Sequence, residues 1–157
     1  MKVLIAYYSK TGNTKQMAET IAESIKKENL EVILKRVEEV KAEDLVNYQG
    51  LIFGTPTYYG TCAYQIKKLL DESVAFHGKL DGKIGGAFTS SNNIGGGNET
   101  AISSILEAML IHGMIIQGDF QGDHYGPVAI GALDKRAEAN CQRFAKRFAD
   151  LLKKISG

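Results

Sequence analysis

Six consecutive residues, Ser9-Lys10-Thr11-Gly12-Asn13-Thr14, combine three hydroxyls, one amide and a single glycine just ahead of an amphipathic stretch. Hydroxyls and backbone N–H groups donate hydrogen bonds without adding net charge. The start of a helix supplies further unpaired N–H donors and a partial positive charge. Gly12 permits a tight turn. This donor set suits a terminal monophosphate. The stretch has no G-x-G-x-x-G and no lysine after its glycine, so a bridging pyrophosphate or a magnesium-bound triphosphate fits less well. Capping a helix needs only one such residue, and this loop exceeds that need.

The elements that must position the loop can be read from apolar periodicity. Val3 to Tyr8 is a short, unbroken apolar run, the pattern of a strand covered on both faces. Met17, Ile21 and Ile25 recur every four residues and predict a helix with one apolar stripe. Glu31 to Val37 predicts a strand nearer an edge, and the stretch from Val37 to Gln49 predicts at most a short helix. Leu51 to Gly54 predicts a buried strand, broken sharply by Pro56 and Gly60. A helix over Ala63 to Leu70 follows. Lys83 to Thr89 predicts a strand whose Gly85 and Gly86 admit a close helix. After the loop Ser90 to Asn98, Ile102, Ile105, Leu106 and Met109 predict a helix ending near His112-Gly113. Met114 to Ile116 predicts a short fifth strand, Gly118 to Gly131 an irregular segment, and Asp134 onward a last helix.

Strand alternating with helix throughout predicts an α/β fold: a doubly wound, three-layer sandwich on a mainly parallel sheet. The 157 residues show no composition break, which predicts one domain over 1–157. In such sheets ligands bind beyond the carboxyl ends of the strands, which directs attention to the loops after strands one, three, four and five. Nineteen basic against 18 acidic residues leave a formal charge of +1, which gives no electrostatic reason to expect nucleic acid or an anionic membrane. Cys62 and Cys141 lack the spacing of a redox pair or a metal site, and no metal is expected. No apolar run approaches the roughly 18 residues of a spanning helix. The opening MKVLIAYYS reads as a strand rather than a signal peptide. A cytoplasmic location is expected.

The loops carry a resemblance. The hexamer from Ser9 to Thr14 resembles the S/T-x-T-G-x-T phosphate loop of flavodoxins. "LIFGTPTYYGT" and "FTSSNNIGGGNE" resemble two loops of the flavodoxin-like quinone reductases related to the Trp-repressor-binding protein. "HGM" and "GDHYGPVAI" match that group as well. The resemblance implies a flavodoxin-like fold with a five-stranded parallel sheet in the order 2-1-3-4-5, and FMN as cofactor. It implies no catalytic residue of the protein's own.

It further implies that Ser9, Lys10, Thr11, Gly12, Asn13 and Thr14 hold the phosphate. Pro56, Thr57, Tyr58, Tyr59 and Gly60 line one side of the isoalloxazine ring, with Tyr58 or Tyr59 stacking on it. The Tyr59-Gly60 peptide is the candidate to flip and present a carbonyl to the reduced flavin. Ser90, Ser91, Asn92, Asn93, Ile94 and Gly95 bond the ring's polar edge, and Tyr125, with its neighbour His124, either covers the ring, from the same or a neighbouring subunit, or belongs to a surface loop. His112 at a helix end is expected to act as a dipole partner, and His77 has no visible partner. Two functions stay open on this site. One is electron transfer between redox partner proteins, favoured by the short chain and the abbreviated "ESVAFHGKLDGK". The other is NAD(P)H-dependent two-electron reduction of a quinone, favoured by the "GTPTYYG" and "GGGNE" loops. An FMN-binding sensor or a reductase subunit is a third class. Aromatic loops at a flavin edge often bury against a second subunit, which leaves a homodimer open.

Overall fold

The computed structural model describes residues 1–156. Strand β1 (Lys2–Tyr7) leads through the hydroxyl loop into α1 (Asn13–Lys27), then β2 (Glu31–Arg36), two short 3-10 turns and β3 (Gly50–Tyr58). There follow β4 (Thr61–Cys62), α2 (Tyr64–Glu72), β5 (Ile84–Ser91), α3 (Asn98–Ile111), β6 (Ile115–Ile116), β7 (Val128–Ile130) and α4 (Lys135–Ser156). The central path β2-β1-β3-β5-β6 is parallel throughout. It has the strand order that the resemblance to flavodoxins implies, with β4 and β7 as two further strands beside the expected five.

Helices cover both faces because the strand residues alternate between two cores. Val3, Ile5 and Tyr7 of β1 pack with Met17, Ile21 and Ile25 of α1 and with Cys141, Phe148 and Leu152 of α4. Leu4 and Ala6 face the opposite side, among Ile66 and Leu69 of α2 and Ile102, Ile105 and Met109 of α3. A strand buried on both faces must be apolar at every buried position, and β1 is from Val3 to Tyr7. Edge strand β2 is only half-buried along most of its length. The glycines of β5 admit neighbours closely: a Cβ on Gly86 would lie 2.6 Å from Cζ of Phe144 on α4. Cys62 and Cys141 are free thiols in the two different cores, and burial pushes the Cys141 thiol up to about 12.

Two elements go beyond the sequence reading. The segment "TPTYYGT" continues β3 and turns back as β4 through a two-residue hairpin, with Thr57 opposite Cys62 and Tyr58 opposite Thr61. The fifth sheet position is filled twice. β6 pairs with Ile84 and Gly85 at one end of β5, and β7 pairs with Thr89 to Ser91 at the other. Residues 117–127 loop out between them and are tied to α4. Arg143 grips the Asp119 carboxylate, Arg136 Nη1 donates to Asp123 Oδ1 at 2.8 Å, and Arg147 Nη2 donates to the Gly118 carbonyl at 2.8 Å. The guanidinium of Arg143 holds the Asp119 carboxyl well below the usual carboxylate range.

His112 ends α3 and is 7% exposed. Ser73 Oγ donates to the Leu70 carbonyl at 2.6 Å, so His112 Nε2–H donates to Ser73 Oγ at 2.8 Å. Among the described residues, the buried Nδ1 has no partner. Burial, and then the neighbouring His77 ring, push the imidazole's pKa below its ordinary value. His112 is therefore a neutral, buried group rather than a charged dipole partner. A histidine whose folded pKa is lowered stabilises the protein fully above its unfolded value, near 6.5. That contribution is lost as pH falls through 6.5 toward the folded pKa, because the unfolded chain takes up the proton first. Urea unfolding from pH 7.5 down to 5.5 is expected to show falling stability, with a shallower slope in His112→Gln. Equal slopes would refute the assignment.

Candidate functional site

At the carboxyl ends of β1, β3 and β5, three loops converge on one cleft. Lys10, Thr11, Asn13 and Thr14 line it from the first loop, Pro56, Thr57 and Tyr58 from the end of β3, and Ser90, Ser91 and Asn92 from the end of β5. The first loop reaches α1 through Gly12, which stands at φ +102° as N-cap and therefore brings no capping side chain. Ser9, buried behind the loop, accepts the Gly12 N–H on its Oγ at 3.1 Å. Among the described residues, the N–H groups of Asn13, Thr14 and Lys15 find no acceptor. A helix start with free donors and no capping side chain is a site for an anion.

A ladder of hydroxyls locks the loops together. Thr14 Oγ1 and Ser90 Oγ are 2.8 Å apart and buried, although 76 residues separate them. Thr57 Oγ1 lies 2.9 Å from Thr89 Oγ1, which donates to the Thr55 carbonyl at 2.8 Å. Thr55 Oγ1 accepts the Ala63 N–H at 2.8 Å and so anchors the strand that returns from the hairpin. Thr55 and Thr89 escaped the sequence reading: Thr89 closes a run that reads as plain strand, and Thr55 stands just past one, at the break before Pro56. The only signal for them is a hydroxyl at a fully buried strand position.

The hairpin separates the two tyrosines. Tyr58 lines the cleft, is 40% exposed, and meets Tyr8 edge-to-face at a centroid distance of 6.4 Å. Tyr59 sits at the turn with its side chain fully in solvent. Its φ of +47° and the +77° of Gly60 define a type I′ turn, the two-residue hairpin turn whose twist matches the strands. A flip of the Tyr59-Gly60 peptide would require a type II′ turn, with glycine's backbone geometry at position 59. Tyr59 opposes the expected flip. The loop after β5 forms a turn in which the Asn93 carbonyl accepts from Gly96 N–H at 3.3 Å and from Ser91 Oγ at 3.0 Å. Asn93, Ile94 and Gly95 stand exposed there, outside the cleft wall.

Hairpin and loop meet through backbone. A Cβ on Gly97 would lie 2.6 Å from the Cα of Gly60, and Cys62 N–H donates to Ser104 Oγ at 3.3 Å. Gly97 is where the two loops touch. Tyr125 is not brought into the cleft. It lines a neighbouring pocket with Glu99, Ile102 and His124. His124 Nδ1–H donates to the Asp119 carbonyl at 2.7 Å, which keeps that histidine within its own loop. Among the described residues, no three His, Cys, Asp or Glu side chains group to hold a metal ion, and no helix is long and apolar enough to cross a membrane.

A doubly wound sheet with an uncapped helix start and an aromatic hairpin at its switch point defines a flavodoxin-like nucleotide site. The Flavodoxin family model matches residues 5–156, and the chain belongs to the flavodoxin family. It is 36% identical to a flavodoxin of Clostridium saccharobutylicum over 99% of each chain. It is also 37% identical to an NAD(P)H dehydrogenase (quinone) of Sinorhizobium fredii, over 77% of this chain and 73% of that one. The structure of a flavodoxin from the domain Archaea superposes with a TM-score of 0.82 at 28% identity, covering 98% of this chain and 99% of that chain. Flavodoxins bind FMN, and this chain is an FMN-dependent electron-transfer protein. The cleft's donors fit that cofactor: free N–H groups and hydroxyls at the α1 start for one phosphate, and Tyr58 for a planar ring.

Tyr59→Gly permits both turn types and is expected to raise the first one-electron potential by about 50 mV, the equivalent of one hydrogen bond of about 1 kcal/mol. Gly60→Ala in the wild-type turn should leave it nearly unchanged. Spectroelectrochemistry decides, and an unshifted Tyr59→Gly potential would rule out Tyr59 as the restraint.

Proposed function

We propose that the chain is a one-electron carrier that docks to redox proteins, and not an NAD(P)H-dependent quinone reductase. Lys10, Thr11, Asn13 and Thr14 hold the FMN phosphate, with Ser9 and Gly12 shaping their loop. Tyr58, Pro56 and Thr57 flank the ring. Ser90, Ser91 and Asn92 present donors to its polar edge, where N–H groups favour added negative charge. The flavin supplies the redox chemistry when bound, and the protein binds, orients and partly desolvates it.

The observation that carries the proposal is the open mouth of the cleft. Tyr59 and Ile94 project into solvent beside it, and Tyr125 is exposed in the neighbouring pocket. A carrier needs its ring edge accessible to a protein surface, whereas a reductase needs a walled chamber that aligns nicotinamide with the flavin. Full-length similarity to a flavodoxin, against partial coverage of the quinone dehydrogenase, supports the same choice. A cytoplasmic setting, where free thiols stay reduced, suits the buried Cys62 and Cys141.

The test is an anaerobic titration of the FMN-loaded protein, followed by visible absorbance. A carrier accepts electrons from dithionite in two resolved steps and stays oxidised with NADPH or NADH. Rapid two-electron bleaching by NAD(P)H, with turnover on adding benzoquinone, would overturn the proposal.

A further inference from the structure

Arg36 closes β2 opposite Tyr7 of β1, so its side chain reaches the loop that follows β1. Nη1 donates to the Ser9 carbonyl at 3.2 Å, and Nη2 donates to Glu38 Oε1 at 3.0 Å. The guanidinium carbon lies 5.9 Å from the centroid of the Tyr8 ring, within range of a cation–π contact. Ser9 is thus held from two directions, its carbonyl by Arg36 and its hydroxyl by the Gly12 N–H. A carbonyl drawn toward β2 removes an acceptor from the cleft side, where it would repel an anion. Lys10, the loop's own cation, is exposed and makes no bond among the described residues. Arg36 is therefore the cation in fixed contact with the loop. Its pair with Glu38 is about two-fifths exposed (42% and 43%), so solvent screens that pairing.

From this geometry we propose that Arg36 is a positioning residue of the phosphate loop. It orients the Ser9 peptide and sets a fixed positive charge behind the loop, and so makes the protein select phosphorylated flavin over riboflavin. The inference rests on residues 9–14 being the phosphate loop. A loop that relies on neutral donors alone has no such charge to offer. The guanidinium supplies it without entering the cleft, and the contact spans 27 residues of sequence.

FMN and riboflavin affinities, read by quenching of flavin fluorescence at low and at physiological salt, test this in wild type, Arg36→Gln and Arg36→Lys. Arg36→Gln is expected to weaken FMN binding roughly tenfold while riboflavin stays within about twofold. Its FMN affinity should also depend less on salt than the wild type's. Arg36→Lys, which keeps the charge but loses the fork, should recover part of the loss. Riboflavin binding by each variant reports that its cleft is intact. Equal losses for both flavins would reduce Arg36 to a scaffold of the loop, and unchanged FMN affinity would deny it a role. Either result overturns the proposal. If the wild type binds riboflavin as tightly as FMN, the phosphate-loop reading itself fails, a result distinct from any behaviour of the variants.

Discussion

Gly97→Ala is expected to cost the protein at least tenfold in affinity for both FMN and riboflavin, and about 2 kcal/mol of stability. The position stands at φ +94°, and its added methyl would lie 2.6 Å from the Cα and 3.3 Å from the nitrogen of Gly60. Neither neighbour is a side chain that could rotate away. The hairpin tip must lift off the start of α3, or the loop after β5 must retreat. Both carry residues proposed to flank the ring, whereas the proposed phosphate loop is untouched. Loss for both flavins alike separates this variant from Arg36→Gln, whose effect depends on the phosphate. Fluorescence titration gives the affinities and urea unfolding the stability. Affinities unchanged within error would show that the two loops tolerate separation.

Gly126→Ala is the second large effect, and it acts on the fold. Gly126 has φ +146°, and a Cβ there would lie 2.1 Å from the carbonyl oxygen of Ala87. That oxygen belongs to β5, inside the sheet. An alanine must adopt a conformation that L-residues avoid and also push the 117–127 loop away from the strand. A loss of about 3 kcal/mol or more is expected. Gly131→Ala is the control, because it also has positive φ (+70°) but its Cβ would meet nothing within 4 Å among the described residues. It should cost only about 1 kcal/mol, the conformational part alone. Equal urea midpoints for the two variants would mean that the loop docks less tightly than the backbone contact implies. A lowered midpoint for Gly126→Ala with FMN affinity retained would place the 117–127 loop outside the flavin site, in keeping with Tyr125 facing a separate pocket.

Much of this protein could be read from short stretches, for a definite reason. Burial on both faces leaves an unbroken apolar run, as in Val3 to Tyr7, and burial on one side leaves the four-residue period of Met17, Ile21 and Ile25. Those local patterns are enough to lay out a doubly wound parallel sheet. The chemistry of the hydroxyl loop is equally local, since Ser9 to Thr14 are contiguous and a helix start is a property of its own first turn.

Tertiary structure decided what depends on pairing between distant segments. Tyr58 and Tyr59 are indistinguishable by type, and only the hairpin register with Thr61 and Cys62 turns one into the cleft and the other into solvent. β7 looked irregular because its three residues, Val128 to Ile130, become a strand only by bonding Thr89 to Ser91. Tyr125 carries no mark in the sequence of which side of α3 its loop will occupy. The contacts of Arg36 with Ser9, of Thr14 with Ser90 and of Gly97 with Gly60 join residues 27, 76 and 37 positions apart. No periodicity encodes such contacts, because each partner satisfies its own local pattern. The sheet brings them together at the carboxyl ends of its strands, so the cofactor class was legible in the sequence while the coupling between its loops was not.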